Sequence, residues 1–200
     1  MTAQISDRVF YQEQEFSITA INGTGLYNPQ QDGISPTSFS TACYRGYVCI
    51  YRVSEENLYL KQLNIGLKLK DRLAVKYGRG QRLFDINPKY PNYDSYFVYE
   101  EINKIIDLSG GLLLGKHFIK EMYIHLGYHP AYKFREVHEL IFREGKVVKS
   151  TDISHKIDEF CSAIATHQSE SFIEKLITEK NYRDEFQKWT QKTLTLDYQL

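Results

Sequence analysis

The stretch FREVHELIFREGKVVKS, residues 134–150, is the clearest β-hairpin in this chain, and it decides the fold class. Both of its arms are rich in β-branched and aromatic residues, as strands usually are. Between the arms lies Arg143-Glu144-Gly145, in which Gly145 can supply the positive φ that a tight turn requires. The hairpin therefore predicts antiparallel β-structure up to residue 150.

Directly after the hairpin, the hydrophobic period changes from that of a strand to that of a helix. Thr151, Asp152 and Ser154 are candidate N-caps. The apolar residues that then recur at helical spacing are Ile153, Ile157, Phe160, Cys161 and Ile164. Ser169 could cap a second helix with the apolar positions Phe172, Ile173, Leu176, Ile177, Tyr182, Phe186 and Trp189. Residues 151–200 are therefore predicted to form amphipathic helices.

Several segments before the hairpin also have the pattern of strands. They are residues 8–11, 15–21, 40–53 and 58–65. In the third segment, alternation places Val48 and Ile50 in the core, with Tyr47 and Cys49 on the opposite face. Residues 67–73 alternate basic residues with leucines, which predicts a strand with one basic face, either as a continuation of the preceding strand or as a new one.

Residues 76–95 lack a hydrophobic period and are interrupted by Gly, Pro, Asn and Asp. A loop of this length is uncommon in a compact domain. Its tyrosines and phenylalanines argue against disorder, so we expect the loop to pack across the sheet. Residues 96–106 favour a strand over a short helix, and residues 112–122 fit either.

The order of these elements predicts an α+β fold. The chain has 200 residues, enough for a hydrophobic core in one domain, and no regular βαβ alternation occurs. We therefore expect a single domain, 1–200, with a β-rich body (1–150) and a C-terminal helical segment (151–200). The body would be a mainly antiparallel sheet of hairpins over residues 8–150, with the amphipathic helices packed on it.

Charge and cysteine content argue against several classes of protein. The 25 basic and 25 acidic side chains cancel, so only a local patch could attract nucleic acid or an anionic membrane. The sequence shows no secretory signal and no apolar run long enough to span a bilayer. Three cysteines without a CxxC pair fit a reduced, cytoplasmic protein. We expect no membrane contact and no cofactor. The combination of hairpins, aromatic strands and a late amphipathic helix is typical of small bacterial proteins.

The sixteen tyrosines indicate an aromatic, hydrogen-bonding surface. The predicted partner-binding residues are Tyr44, Arg45, Tyr47, Tyr90, Tyr93, Tyr96 and Tyr99. Tyr and Arg are enriched at binding hot spots. The last four of these residues lie three apart, so a polyproline-II segment would align them along one edge. The alternative is that these rings only fasten a long loop to the body.

Cys43 and Arg45 offer a catalytic alternative. In a strand over residues 40–53 their side chains share a face, and Arg45 would lower the thiol pKa and favour a nucleophilic thiolate. No His lies nearby in the sequence to act as a base. A small apolar Cys in a strand, with Gly46 marking a bulge, explains the same residues without chemistry.

Four histidines, His117, His125, His129 and His138, form a cluster late in the chain with acidic residues between them. His and carboxylate side chains are ligands for zinc or iron. The motif HExxH is absent, however, and Gly127 disfavours a helix that would align His125 with His129. Polar strand faces and loop positions explain this His117–His138 cluster, so we predict no metal.

Residues 68–82 form a strongly basic stretch, with six positive side chains and one acid, Asp71. Such a stretch could follow a phosphate backbone. The alternative is a solvated edge strand, on which lysines prevent pairing with other edges. The neutral chain favours the edge strand, so we do not expect binding to nucleic acid.

No catalytic fingerprint accompanies these features, since GxGxxG, GxxxxGK[ST] and GxSxG are all absent. We therefore expect a non-catalytic protein that binds another protein, such as a bacterial toxin-neutralising (immunity-type) protein or an adaptor. One alternative is an enzyme or small-ligand-binding protein with a pocket around Cys43 and Arg45 or around the His117–His138 cluster. A further alternative is a nucleic-acid binder that uses residues 68–82.

Overall fold

The computed structural model describes residues 2–90, 95–164 and 172–199 of the chain. Within these residues, nine strands form one sheet and three α-helices accompany it. The strands are β1 (Arg8–Tyr11), β2 (Gln14–Thr24), β3 (Tyr47–Ser54), β4 (Asn57–Ile65), β5 (Phe97–Tyr99), β6 (Lys104–Ile105), β7 (Ser109–Phe118), β8 (Phe134–Arg143) and β9 (Lys146–Asp152). The helices are α1 (Leu69–Lys76), α2 (Ser154–Ile164) and α3 (Phe172–Thr193).

The fold is mixed α+β, but the predicted hairpin sheet closes on itself. Its strand order is β1-β2-β7-β8-β9-β4-β3, and β3 returns to pair with β1, so seven strands form a small barrel. The β1–β3 pair is parallel, whereas the other pairs in this ring are antiparallel. β5 and β6 extend β4 outside the ring. The hairpin predicted at residues 134–150 is confirmed as β8–β9, and β1–β2 and β3–β4 are antiparallel hairpins as well.

Side chains alternate between two hydrophobic cores. On β7, Leu112 and Leu114 pack inside the closed sheet, whereas Leu113 packs outside it against the helical layer. The helical layer contributes Phe160 of α2 and Phe186 of α3, whose ring centroids lie 5.1 Å apart. Strand periodicity of two thus supplies apolar residues to both faces of β7, as in a strand that is covered on both sides.

The predicted C-terminal helices are present. Asp152 precedes α2 and accepts a hydrogen bond from the Ser154 amide at 2.9 Å, as an N-terminal cap does. Ile157 and Phe160 are buried, as predicted. The side chain of Ile164, residues 165–166 and the predicted cap Ser169 lie outside the described residues.

The prediction of one long strand over residues 40–53 is wrong. Strand β3 begins only at Tyr47, and residues 40–46 form tight turns in which the Cys43 amide bonds to the Ser40 carbonyl. The predicted register is also wrong, because Cys49 is fully buried in the core of the closed sheet. Val48 is buried too, but outside that core. Strand β3 is covered on both faces, so polar and apolar residues do not alternate along it. The sequence therefore does not show which side chains face the inner core.

The prediction of a strand over residues 67–73 is wrong as well, because α1 occupies this stretch. Leu, Lys, Arg and Ala are strong helix formers. The helix ends at Lys76, and Gly78, just after the C-cap residue Tyr77, has the left-handed φ of +70° that often follows a helix. No residue of α1 is buried. Because no face of α1 is fully buried, its sequence lacks the wide, core-facing apolar side that usually identifies a helix.

The long loop packs against the sheet in its described part. Lys89 exchanges two backbone hydrogen bonds with Val98 of β5, at 2.8 and 2.9 Å, and Leu83 is buried in the core of the closed sheet. Residues 96–106 contain the short strands β5 and β6, and β7 covers most of residues 112–122. Among the described residues, no helix has the length and apolar character needed to cross a membrane.

Candidate functional site

Arg45 is held in place by the carboxylate of Asp7 and by the backbone carbonyl of Tyr47. Its Nη1 donates to Asp7 Oδ2 at 3.1 Å and its Nη2 donates to Oδ1. Its Nε donates to the Tyr47 carbonyl at 2.7 Å, and the guanidinium lies 4.7 Å from the centre of the Tyr47 ring. Bidentate contact with a carboxylate is the strongest geometry available to an Arg side chain. Arg45 is therefore preorganised.

The topology explains why these residues meet. Strands β1 and β3 run in parallel with Arg8 opposite Ile50, so Asp7 lies beside the start of β3. The Cys49 amide donates to Asp7 Oδ1 at 2.6 Å. Burial alone would lower the pKa of Arg45, but the Asp7 carboxylate raises that pKa above its ordinary value. Arg45 thus stays charged as half of a neutral pair.

The N-terminal segment joins this pair to a second loop. The Gln4 side-chain Oε1 accepts a hydrogen bond from the Tyr44 backbone N–H at 3.0 Å, and the Gln4 backbone N–H donates to the Gly127 carbonyl at 2.8 Å. Tyr44 is 63% exposed, and Ile5 and Tyr128 are also exposed. We call this patch the Arg45 surface. Its members are Ile5, Tyr44, Arg45, Tyr47 and Tyr128.

Three of these five residues were predicted from the sequence, and Ile5 and Tyr128 were not. Tyr44, Arg45 and Tyr47 were predicted to bind a partner, and the structure places them together. Asp7, on which the arrangement depends, was also missed. Asp7 and Arg45 are 38 positions apart, and no local pattern links them. Only the parallel pairing of β1 with β3 brings them together.

A narrow cleft opens beside Arg45. It has a volume of about 130 Å³ and is lined by Arg45, Tyr128, Gln199 and one edge of β2. Pockets for drug-sized ligands typically measure roughly 300–1,000 Å³. The cleft is thus too small for most metabolites, although it could receive a single side chain of a partner.

The geometry around Cys43 does not favour nucleophilic chemistry. The side chain is only 2% exposed, and its Sγ donates to the Tyr47 carbonyl at 3.4 Å. Burial raises the pKa of the Cys43 thiol above its ordinary value, although Arg45 opposes this effect. A protonated, buried thiol is a poor nucleophile. The supposed shared strand face does not exist, since Cys43 lies in a turn.

The four spaced tyrosines do not present a common edge in the described part of the chain. Tyr99 is buried and donates its hydroxyl to the Gln81 carbonyl at 2.8 Å. Tyr96 is half-buried, 5.2 Å from the Phe39 ring, whereas Tyr90 is exposed. Tyr93 lies outside the described residues. Tyr99 and Tyr96 therefore fasten the loop to the body.

The histidines are divided between two places. His117 and His138 lie 3.7 and 3.1 Å from the carboxylate of Glu136, and the His138 ring packs 5.3 Å from that of Phe16 in the core of the closed sheet. His125 and His129 belong to an aromatic cluster in another loop. No group of three His, Cys, Asp or Glu side chains that could hold a metal occurs within the described residues.

No family model, curated protein or solved structure matches this chain. Its function must therefore be inferred from its own surfaces. Besides the Arg45 surface, α1 presents exposed apolar residues together with the cations of the basic stretch. These two surfaces lie on different elements.

Proposed function

We propose that this chain is a non-catalytic protein that binds another protein, of the toxin-neutralising (immunity) or adaptor type, and that the Arg45 surface makes the contact. The observation that carries this proposal is a preorganised Arg beside two exposed tyrosines. Tyr and Arg dominate binding hot spots, and a side chain that is already ordered loses little entropy on association. The surface also has exposed apolar area in Ile5.

The Arg45 side chain keeps capacity for a partner. A guanidinium has five N–H donors. Three contacts occupy Nε, Nη1 and Nη2 once each. The remaining two hydrogens can donate to acceptors on a partner, such as backbone carbonyls. Because Asp7 already neutralises the charge, a partner with neutral acceptors suits this site better than a strongly acidic one.

The experiment is affinity capture from the native source with the unmodified chain and with a Tyr44→Ala, Tyr128→Ala double variant. We expect one partner in stoichiometric amount, and binding at least roughly 30-fold weaker in the variant, since each hot-spot tyrosine contributes at least about 1 kcal/mol. The matched control is Ile105→Ala, Val148→Ala, which alters two exposed apolar residues elsewhere.

Loss of capture in the double variant but not in the control supports the proposal. Equal capture by all three proteins would show that the partner uses another surface. A low-molecular-weight product formed from a metabolite mixture, and abolished by Cys43→Ser, would instead establish the enzyme alternative.

A further inference from the structure

Helix α1 has an outward apolar stripe. Leu69, Leu73 and Tyr77 are four residues apart, so they lie along the same side of a helix with 3.6 residues per turn. Their exposed fractions are 72%, 47% and 71%. An exposed apolar patch that is contiguous and rimmed by polar residues is a mark of an interaction site.

Cations surround this stripe. Lys70, Arg72 and Lys76 project on its two flanks, and Lys68 and Arg79 lie at its ends, all of them exposed. None of these five side chains forms an ion pair with another described residue. The stretch is therefore an uncompensated positive patch with an apolar centre.

The acid of this segment lies on the other side of the helix. Asp71 lines a small cavity under α1 together with Tyr99. Since the whole chain is neutral, the residues outside this basic stretch must be acidic overall. The positive charge of this patch is therefore local, and it would attract α1 towards an anionic surface.

We propose that the α1 stripe docks on an anionic lipid bilayer. Leu69 and Leu73 would enter the boundary between headgroups and acyl chains, where amphipathic helices bury their apolar face. Tyr77 would lie at headgroup level, and the flanking cations would contact lipid phosphates. This proposal departs from the expectation, drawn from the sequence, of no membrane contact. A neutral chain can be attracted to an anionic surface only through a local patch, and α1 supplies such a patch.

Shape and area distinguish a bilayer from a protein partner here. The stripe is convex and consists of three side chains, whereas a stable protein interface buries roughly 800 Å² per partner and needs a matching groove. A bilayer needs no groove, and its attraction adds up over the separate cations. A nucleic-acid backbone would contact the cations but leave the leucines in water.

The experiment is co-sedimentation of the full chain with vesicles of phosphatidylcholine alone and of phosphatidylcholine mixed with phosphatidylserine. We expect binding to the mixed vesicles, weak or no binding to the neutral ones, and loss of binding as salt rises. Lys70→Gln, Arg72→Gln, Lys76→Gln should weaken binding on the order of 100-fold, since each cation contributes about fivefold. Leu69→Gln, Leu73→Gln should weaken it by roughly 10-fold.

The matched control is Val148→Gln, Lys149→Gln, which removes one exposed apolar residue and one exposed cation from β9. It should bind as the unmodified chain does, as should Tyr44→Ala, Tyr128→Ala, so that this proposal and the proposed function fail independently. Equal binding to neutral vesicles, no binding to mixed vesicles, or equal loss in the β9 control would overturn the proposal. Salt-sensitive binding to a DNA or RNA oligonucleotide that ignores the leucine substitutions, without vesicle binding, would reassign the patch to nucleic acid.

Discussion

The contact between Asp7 and Arg45 shows how much one buried carboxylate can organise. Asp7 accepts hydrogen bonds from Arg45 and from the Cys49 amide, and it is almost fully buried. Removing one partner of a buried pair leaves the other charge without compensation. The Arg45 surface therefore depends on a residue that is itself buried.

We expect Asp7→Asn to lower the free energy of unfolding by about 2–4 kcal/mol, because Arg45 loses its counter-charge while Cys49 keeps an acceptor. Urea unfolding measures this. The control is Glu15→Gln, which breaks the exposed Arg8–Glu15 pair of 3.0 Å and should cost under about 1 kcal/mol. Equal costs in both variants would contradict the structural role given to Asp7.

A second residue-scale prediction concerns His129. Its ring packs 4.7 Å from that of Phe118, and neither ring nitrogen has a hydrogen-bond partner among the described residues. Burial, followed by the positive charge of Lys133, lowers the pKa of His129 from 6.5 to about 4, although Glu179 acts in the opposite direction. Between pH 6.5 and 4 the unfolded chain therefore binds a proton that the folded chain does not.

The stability contributed by neutral His129 is fully present above pH 6.5 and falls as the pH drops towards 4. The loss should be about 2 kcal/mol, allowing for partial solvent contact. We expect His129→Leu to flatten this part of the stability profile, measured by urea unfolding at several pH values. His155→Leu, at an exposed position of α2, is the control for replacing a histidine by leucine. An unaltered slope in the His129 variant would refute the assignment.

At the scale of elements, the turn before β3 decides where Arg45 points. Gly46 has a φ of +78°, and a Cβ there would lie 2.6 Å from the backbone of Thr37. Gly78, at the end of α1, has a similar φ of +70° but open space around it. A substitution at Gly78 would therefore meet only backbone strain, whereas one at Gly46 would meet backbone strain and a steric clash.

We expect Gly78→Ala to cost about 1 kcal/mol from the left-handed backbone alone. Gly46→Ala should cost at least about 2 kcal/mol more, because the Thr37 backbone must also move. Thermal unfolding of the two variants tests this difference. Equal costs would mean that the turn before β3 can relax, and the position of Arg45 would then be less firmly set than the structure indicates.

At the scale of the whole molecule, the end of the chain ties the helical layer to the closed sheet. Gln199 exchanges backbone hydrogen bonds with Ile21 of β2, at 2.8 and 3.1 Å. The buried Tyr198 hydroxyl donates to the buried Glu139 carboxylate of β8 at 2.9 Å. Burial, with Glu139 in support, raises the pKa of Tyr198, so the hydroxyl remains a donor.

Tyr198→Phe should therefore lower the free energy of unfolding by about 1–3 kcal/mol, since Glu139 loses its hydroxyl donor. Urea unfolding of this variant tests the prediction. Tyr77→Phe is the control, because its exposed hydroxyl can exchange a partner for water at little cost. A Tyr198 variant as stable as this control would mean that water or another group satisfies Glu139.

The sequence by itself determined what depends on near neighbours. The β8–β9 hairpin has its turn glycine between its arms, and α2 has its cap and apolar period within one segment, so both were predictable. For residues 67–73 the same reasoning gave a strand where the structure has a helix. Helix α1 has no fully buried side chain, and its alternation of Lys with Leu is also the pattern of a strand. Because this stretch is a helix, Leu69, Leu73 and Tyr77 lie on one side of it, as a single stripe among the cations.

Only the tertiary structure decided the closure of the sheet, the register of β3 and the position of the Arg45 surface. Closure depends on the parallel pairing of β1 with β3, which joins segments about 40 residues apart and leaves no local pattern. The same pairing brings Asp7 to Arg45. Propensity and periodicity report the preferences of a residue and its immediate neighbours, whereas the choice between distant strand partners depends on the summed packing of the whole chain.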